Sequence, residues 1–188
     1  MACALRSVNM KTSLILTLIG PDRPGLVNAV AACAGQCGAN WMESRMSHLA
    51  GQFAGVVRLE VDAAARDALE VALRGLASEG LHVAIARGGE RAPAGMRRVS
   101  LDLVGHDRPG IVREISTVLA RHGVSIEVLE TSCESASMSG EPLFRAHAEL
   151  MVPGVADLAA IRADLEALAN ELMVDLALDE APDAAVVA

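Results

Sequence analysis

The sequence predicts an α+β protein made of two tandem modules with antiparallel sheets, each with the order strand, helix, strand, strand, helix, strand. The octapeptide GPDRPGLV at residues 20–27 recurs as GHDRPGIV at residues 105–112. In both copies an alternating apolar run precedes the octapeptide, and an apolar run with helical spacing follows it. Repetition on this scale indicates that one supersecondary unit was duplicated.

The first strand and helix of each module follow from hydrophobic spacing. Apolar residues at every second position over 14–18 and 99–103 predict a half-buried strand. Because Pro24 fixes its own φ near −65°, it is predicted to be the first residue of the helix. Gly38 and Gly123 stand where a helix C-terminus commonly needs a positive φ.

The two middle strands differ between the copies in the loop that joins them. The second strand begins within ANWMES in one copy and VSIEVLE in the other, and the third carries Phe53 or Phe144. Between these strands the offset of the repeat grows from 85 to 91 residues. The second copy therefore has about six extra residues in a polar, loop-like segment at 132–142.

A second helix and a last strand complete each module. The helix stripes are Leu69, Leu73 and Leu76 in one copy and Ile161, Leu165 and Leu168 in the other. In the last strand, Val83 is aligned with Val174 and Ile85 with Leu176. This order is that of the ferredoxin-like βαββαβ unit, whose right-handed crossovers place both helices on one face of the sheet.

Five segments follow from this pattern: an N-terminal tail at 1–11, module 1 at 12–88, a linker at 89–95, module 2 at 96–180 and a C-terminal tail at 181–188. The linker lies in GGERAPAG, which is rich in turn residues and has no periodicity. Because each module is small for an independent core, we expect the modules to dock edge to edge, within the chain or across a dimer.

Composition narrows the classes of function. The net charge is −8, and residues 96–180 carry fifteen acidic side chains against seven arginines, which disfavours direct docking on nucleic acid. No apolar stretch reaches the ~20 residues that span a bilayer, and no signal-peptide pattern is found. The four cysteines form no disulfide framework. We therefore expect a cytoplasmic protein without membrane or direct nucleic-acid contacts.

Neither a metal nor a cofactor is predicted. Cys33 and Cys37 are four residues apart on the first helix, but Cys33 aligns with Val118, which indicates a packing role. No further ligand is near them in sequence, and the five histidines lack the spacing of a metal site.

The repeated turn suits a small carboxylate. A helix N-terminus offers unpaired N–H groups and a positive dipole end, and Gly25 lets a ligand approach that backbone. Asp22 either caps the helix or accepts hydrogen bonds from an ammonium group, and Arg23 either extends the anion site or faces solvent. A plain strand-to-helix turn that binds nothing is the alternative, and the repeat is compatible with both.

Two modules that each open with an apolar strand and the motif G-x-D-R-P-G-[LI]-V resemble tandem ACT domains, which are small regulatory modules that typically bind amino acids. The resemblance covers about residues 12–179. HGVSIEVLET at 122–131 and MSGEPLF at 138–144 are similar to the glycine cleavage system transcriptional repressor family.

The resemblance also implies site residues. In ligand-binding ACT domains the first loop and the start of the second strand frame the site, often across an interface between two modules. The first-module candidates are Asp22, Arg23, Gly25, Leu26 and Asn40. The second-module candidates are Asp107, Arg108, Gly110, Ile111 and Ser125. If only one module binds a ligand, Asn40 favours the first, because an amide both donates and accepts hydrogen bonds and so suits an amino acid. The alternative is that Asn40 only caps the start of its strand.

A non-catalytic regulator is the function that the resemblance implies. It would bind a small amino acid, with glycine favoured, and act as a homo-oligomer on a protein partner such as a transcription factor. One alternative is an interaction scaffold without ligand binding. The other is an acylphosphatase-like enzyme in which Arg23 binds phosphate and Asn40 orients water, although the sequence offers no nucleophile with a base.

Overall fold

The computed structural model of the chain describes residues 10–88, 95–135 and 142–180, without the side chain of Glu180. Four predicted segments lie wholly or partly outside the described residues: residues 1–9 of the N-terminal tail, the linker up to residue 94, residues 136–141 of the loop and the whole C-terminal tail. The chain divides into two compact units, Met1–Arg91 and Ala92–Ala188. Each unit is one module, and each has its own sheet.

Module 1 has four strands, two α-helices and a short 3-10 helix. The elements are β1 (Lys11–Pro21), α1 (Leu26–Gln36), β2 (Asn40–Leu49), β3 (Gln52–Asp62), α2 (Arg66–Gly75), the 3-10 helix (Leu76–Glu79) and β4 (His82–Arg87). The strand order is β2-β3-β1-β4, and every neighbouring pair is antiparallel. The element β2 therefore lies at one edge of the sheet and β4 at the other.

Module 2 repeats this topology. Its elements are β5 (Met96–His106), α3 (Ile111–Arg121), β6 (Ser125–Ser135), β7 (Pro142–Pro153), α4 (Leu158–Leu172) and β8 (Val174–Glu180). The order is β6-β7-β5-β8, again antiparallel throughout. The predicted α+β fold of two βαββαβ modules is confirmed.

Each module buries its own apolar core between the sheet and its helices. Module 1 buries alternate residues of β1 and β3 together with one stripe of α1 and of α2: Leu14, Leu16, Leu18, Val57, Leu59, Val61, Leu26, Val30, Leu69 and Leu73. The corresponding core of module 2 includes Val99, Leu101, Leu103, Ala148, Leu150, Ile111, Ile115, Ile161 and Leu165. Among the described residues, no polar or charged side chain is buried.

The first helix of each module begins two residues later than the sequence predicted. Gly25 has φ 95° and stands at the N-cap, so α1 begins at Leu26 and Pro24 lies in the turn. Gly110 has φ 102° and precedes α3 in the same way. A residue with a positive φ interrupts the right-handed helical path, which is why the proline cannot be helical residue one. The positive φ predicted at Gly38 and Gly123 is confirmed.

The predicted alignment of the last strands was wrong by two residues. Leu18 pairs with Val83 across β1 and β4, while its repeat equivalent Leu103 pairs with Leu176. Val83 therefore corresponds to Leu176 and not to Val174. The two modules differ in the helix just before this strand. In module 1, α2 has 10 residues and a four-residue 3-10 helix follows it, whereas in module 2 α4 is one helix of 15 residues.

Candidate functional site

The two repeated turns are anchored in the same way to the hairpin of their own sheet. The backbone N–H of Asp22 donates to the carbonyl of Gly51 at 2.9 Å, and that of Asp107 donates to Pro142 at 3.0 Å. Neither α1 nor α3 receives a side-chain cap at its N-terminus. The Asp22 carboxylate instead lies 3.6 Å from Nε2 of His48. The first backbone amides of both helices thus keep the hydrogen-bonding capacity that an anion could use.

The two arginines of the turns differ in their partners. Arg23 donates from Nη2 to the carbonyl oxygen of Glu79 at 2.6 Å, and its Nη2 is 3.4 Å from the Glu79 carboxylate. Arg108 makes no hydrogen bond or ion pair within the part of the chain that the structure describes. The residue before the left-handed turn into the last strand is Glu79 in module 1 but the buried Leu172 in module 2. Module 2 therefore has no carboxylate at that position.

The two N-cap glycines differ in their surroundings, which are open at Gly25 and crowded at Gly110. A Cβ placed on Gly25 would meet no atom within 4 Å, whereas one on Gly110 would lie 3.3 Å from Oε1 of Glu114. Glu114 is an acidic residue in the first turn of α3, and α1 has none there. Because a carboxylate at a helix N-terminus competes with an anionic ligand, the α1 turn is the better place for one.

Leu26 and Ile111 belong to the cores of their modules. Both side chains are buried among the apolar residues of the sheet and the helices. Only their backbone N–H groups, at the first helical position, are placed to meet a ligand at the turn.

Asn40 and Ser125 lie far from the turns of their own modules. The strands β1 and β2 are parallel to each other, because both are antiparallel to β3. Asn40 begins β2, and the nine residues to Leu49 carry the strand about 30 Å towards the hairpin that anchors the turn. Ser125 begins β6 and is placed in the same way in module 2. The candidate residues of one module therefore form two separate groups, at opposite ends of its sheet.

The Asn40 amide is exposed at the sheet edge. Its Nδ2 lies 3.6 Å from Sδ of Met42 in the same strand, which is a weak interaction with a poor acceptor. Its neighbour in register is Glu60, whose carboxylate is paired with Lys11 at 3.0 Å. Ser125 is likewise exposed.

The two helical cysteines have the environment of packing residues. Cys33 and Cys37 are half-buried, and Sγ of Cys33 lies 3.9 Å from the carbonyl oxygen of Ala72. Burial raises the pKa of the Cys33 thiol, and the nearby Cys37 and Glu79 raise it further. The neutral thiol is therefore favoured, which suits packing more than metal binding. Within the described ranges, no group of three His, Cys, Asp or Glu residues is placed to hold a metal ion.

Sequence reasoning missed a charged pair on the outside of the module 2 sheet. Nδ1 of His147 lies 2.8 Å from Oδ1 of Asp102, across β5 and β7. The hydrogen bond to Asp102 raises the pKa of His147 above its ordinary value of 6.5. These residues are far apart in sequence and meet only through the register of β5 and β7. Predicting the pair from the sequence would have required that register.

The fold and the turns define a class of protein. Residues 12–85 match one family profile of the ACT domain, and residues 99–172 match another. The chain therefore belongs to the ACT domain family and carries two ACT domains in tandem. Among the described residues, no helix is long and apolar enough to cross a membrane.

Relatives of the whole tandem pair are also found. The chain is 26% identical over 163 residues to the glycine cleavage system transcriptional repressor of Escherichia coli strain K12, a match that covers 85% of each protein. A crystal structure of an unknown protein from Galdieria sulphuraria is 29% identical, with a TM-score of 0.79 over 92% of this chain and 100% of that one. A crystal structure assigned provisionally to a glycine cleavage system transcriptional repressor has a TM-score of 0.71 over 93% of this chain and 99% of that one; at 20% identity it shows the shared fold.

Proposed function

We propose that the chain is a non-catalytic regulator that senses a small amino acid and acts on transcription or metabolism through a protein partner. The single observation that carries this proposal is the pair of ACT domains, each with an uncapped helix N-terminus behind a glycine turn. The similarity to a transcriptional repressor of the glycine cleavage system supports it and makes glycine the favoured ligand. We also propose a cytoplasmic location.

The turn of module 1 is the proposed ligand site. The open approach to Gly25 and the absence of an acidic residue in the first turn of α1 leave room and positive potential for a carboxylate. Asp22 is exposed beside this turn and offers a carboxylate to an ammonium group. Arg23 is held by Glu79, so it contributes to the site by its positive charge or by exchanging that partner for the ligand.

Asn40 can contact a ligand at the Asp22 turn only if it belongs to a different copy of the module. A free amino acid cannot extend the roughly 30 Å between the turn and Asn40 of one module. Two β2 edges that pair antiparallel place the start of one strand beside the end of the other. We therefore propose a homo-oligomer in which Asn40 of one copy approaches the Asp22 turn of another.

Ligand binding would act by shifting the population of such arrangements. A ligand does so only to the extent that it binds one arrangement more tightly than the other. The partner protein would then distinguish the two arrangements, so a promoter is influenced without direct contact between this acidic chain and DNA.

A ligand screen tests the proposal. The full chain is titrated with each of the twenty amino acids by isothermal calorimetry and by thermal shift at millimolar concentration. Heat release and a raised melting temperature with one or a few of them are expected, since a ligand that binds only the folded state stabilises it. A flat response to all twenty would contradict the sensor and leave the interaction scaffold.

Acyl phosphate turnover tests the remaining alternative, the acylphosphatase-like enzyme. The sensor proposal expects no turnover by the full chain. Turnover that is lost in Arg23→Ala would instead support the enzyme, because that mechanism needs a cation to hold the phosphate.

A further inference from the structure

The outer face of the module 1 sheet, turned away from the helices, has an uncharged centre. We call this centre the module 1 outer face and define it as Ile15, Thr17, Ile19, Ala54, Val56, Ala84 and Ala86. These residues alternate along β1 and β3 with the buried core residues, and they are neighbours in register across β1, β3 and β4. At the two ends of this centre, Arg58 lies opposite Ile15 and His82 lies opposite Ile19. Ile19 is 50% exposed and Val56 is 46% exposed. Contiguous exposed apolar surface of this kind marks an interaction site.

Module 2 shows that the fold does not require an apolar surface there. The register places Ser100, Asp102, Arg145, His147 and Asp179 at the positions of Ile15, Thr17, Ala54, Val56 and Ala86. The other two positions stay apolar, with Val104 for Ile19 and Ala177 for Ala84. An antiparallel sheet with one face on the core normally has polar residues on its other face. Module 2 follows that rule at five of the seven positions and module 1 only at Thr17, so the apolar side chains of module 1 need another explanation.

The charges around the two faces indicate what covers the apolar one. The ion pairs Lys11–Glu60 and Arg58–Glu43 flank the module 1 outer face, and Arg45 is the register neighbour of Val56 at its edge. The corresponding face of module 2 carries two arginines, Arg98 and Arg145, against five carboxylates, on Asp102, Glu130, Glu149, Asp175 and Asp179. A basic partner would therefore prefer module 2. In a chain of net charge −8, the module 1 outer face is a surface on which two copies can meet without repulsion.

We infer that the module 1 outer face is a contact between two copies of this chain, packed sheet against sheet about a two-fold axis. A two-fold contact needs one self-complementary patch, which an uncharged centre with flanking charges of both signs provides. Two sheets packed in this way lie about 10 Å apart with interdigitated side chains.

The whole outer side of the sheet, with its flanking charges, has the size of a small contact of this kind. Its four strands of 6 to 11 residues, at ~4.8 Å spacing, present roughly 600 Å², of which the module 1 outer face makes up roughly 240 Å². Each partner of a standard protein–protein interface contributes about 800 Å². This contact involves sheet faces, whereas the edge pairing proposed above involves β2, and it does not depend on amino-acid binding.

Sedimentation velocity over a range of concentrations tests the inference. In the face variant, Ile15→Ser, Thr17→Asp and Ala86→Asp install the residues that module 2 tolerates at these positions. The control is Val71→Asp, which adds a charge at an exposed position of α2, on the helix side of the sheet. Wild type and the control should dimerise, and the face variant should show a dissociation constant raised on the order of tenfold or more, because like charges then meet.

Two results would overturn the inference. One is a wild-type chain that stays monomeric at all concentrations. The other is unchanged association of the face variant with wild-type circular dichroism. If the triple variant does not fold, Ile19→Lys replaces it, since that side chain is half exposed and leaves no core cavity. Unchanged association of Ile19→Lys would overturn the inference equally.

Discussion

Arg23 and Glu79 are 56 residues apart in the chain, and the Arg23 guanidinium donates to the Glu79 carbonyl at 2.6 Å. The bond joins the repeated turn to the end of the 3-10 helix. Arg108, at the same position of the repeat, has no such acceptor among the described residues. Two turns with the same DRPG sequence therefore have different environments, and each can be probed with the other as its control.

Replacement of Arg23 should cost stability where replacement of Arg108 does not. Arg23→Ala removes a hydrogen bond from a charged donor to a main-chain carbonyl, and we expect the free energy of unfolding to fall by about 1 kcal/mol. The exposed ion pair with the Glu79 carboxylate adds little. Arg108→Ala should change stability by less than about 0.5 kcal/mol. Urea unfolding measures both, and equal losses would contradict the assigned role of Glu79.

Gly25 should be required for its backbone conformation alone. A methyl group at Gly25 meets open space, but φ is 95°, so Gly25→Ala should destabilise the protein by about 1–2 kcal/mol. Gly35→Ala is the control, because Gly35 also faces open space but lies within α1. There alanine should stabilise the helix by about 0.5–1 kcal/mol. Thermal unfolding of both variants checks this, and the same sign for both would refute it.

Met173 should be a strained position that glycine relieves. It has φ 53° where the equivalent position of module 1 is Gly80 with φ 81°. Its side chain is 75% exposed, so little apolar burial is lost on replacement. Met173→Gly should therefore raise the free energy of unfolding by about 1 kcal/mol, and Gly80→Met should lower it. A destabilised Met173→Gly protein would mean that the side chain contributes more than the backbone strain costs.

The pair of His147 and Asp102 should make a small, pH-dependent contribution to stability. Because the folded-state pKa of His147 is raised above 6.5, chiefly by the hydrogen bond to Asp102, the contribution is fully present below about pH 6.5. It is lost as the pH rises through the folded-state pKa. Since the pair is exposed, its size should be about 0.5 kcal/mol.

An NMR titration of the His147 imidazole in wild type and in Asp102→Asn measures this directly. The pKa should fall in the variant. A His147 pKa that does not move would show that Asp102 is not its cause.

The amino-acid response should depend on module 1. We expect Asp22→Asn and Asn40→Ala each to weaken the affinity for the ligand by about tenfold. The first change removes a charged hydrogen-bond acceptor, and the second removes an amide that both donates and accepts. The matched controls, Asp107→Asn and Ser125→Ala, should leave the affinity unchanged. Calorimetry reports both pairs, and greater losses in the controls would move the site to module 2.

A mixture of these two weakened variants tests whether Asn40 acts across copies. Asp22→Asn lacks the turn group and Asn40→Ala lacks the edge group, so a mixed dimer of the two has one intact site. Partial recovery of binding on mixing is expected only if the groups come from different chains. No recovery, in a mixture shown to exchange subunits, would contradict a site shared between two copies.

The sequence by itself determined the local and repeated features of this protein. Period-two runs specify strands wherever one face is buried, and the repeated octapeptide specifies a turn between a strand and a helix, because these patterns depend on residues close together in the chain. The order of elements and the family both follow from them. The boundary error at Pro24 was also local: Gly25 with its positive φ, not the proline, stands directly before the helix.

Only the tertiary structure decided which distant residues meet. The pairing of β4 and β8 with their neighbours moved the alignment of the last strands by two residues, since register depends on contacts between segments that are far apart in sequence. The same strand order separated Asn40 from Asp22 and gave Arg23, but not Arg108, an acceptor. It also made one outer sheet face apolar and the other acidic, because opposed residues on adjacent strands share a face.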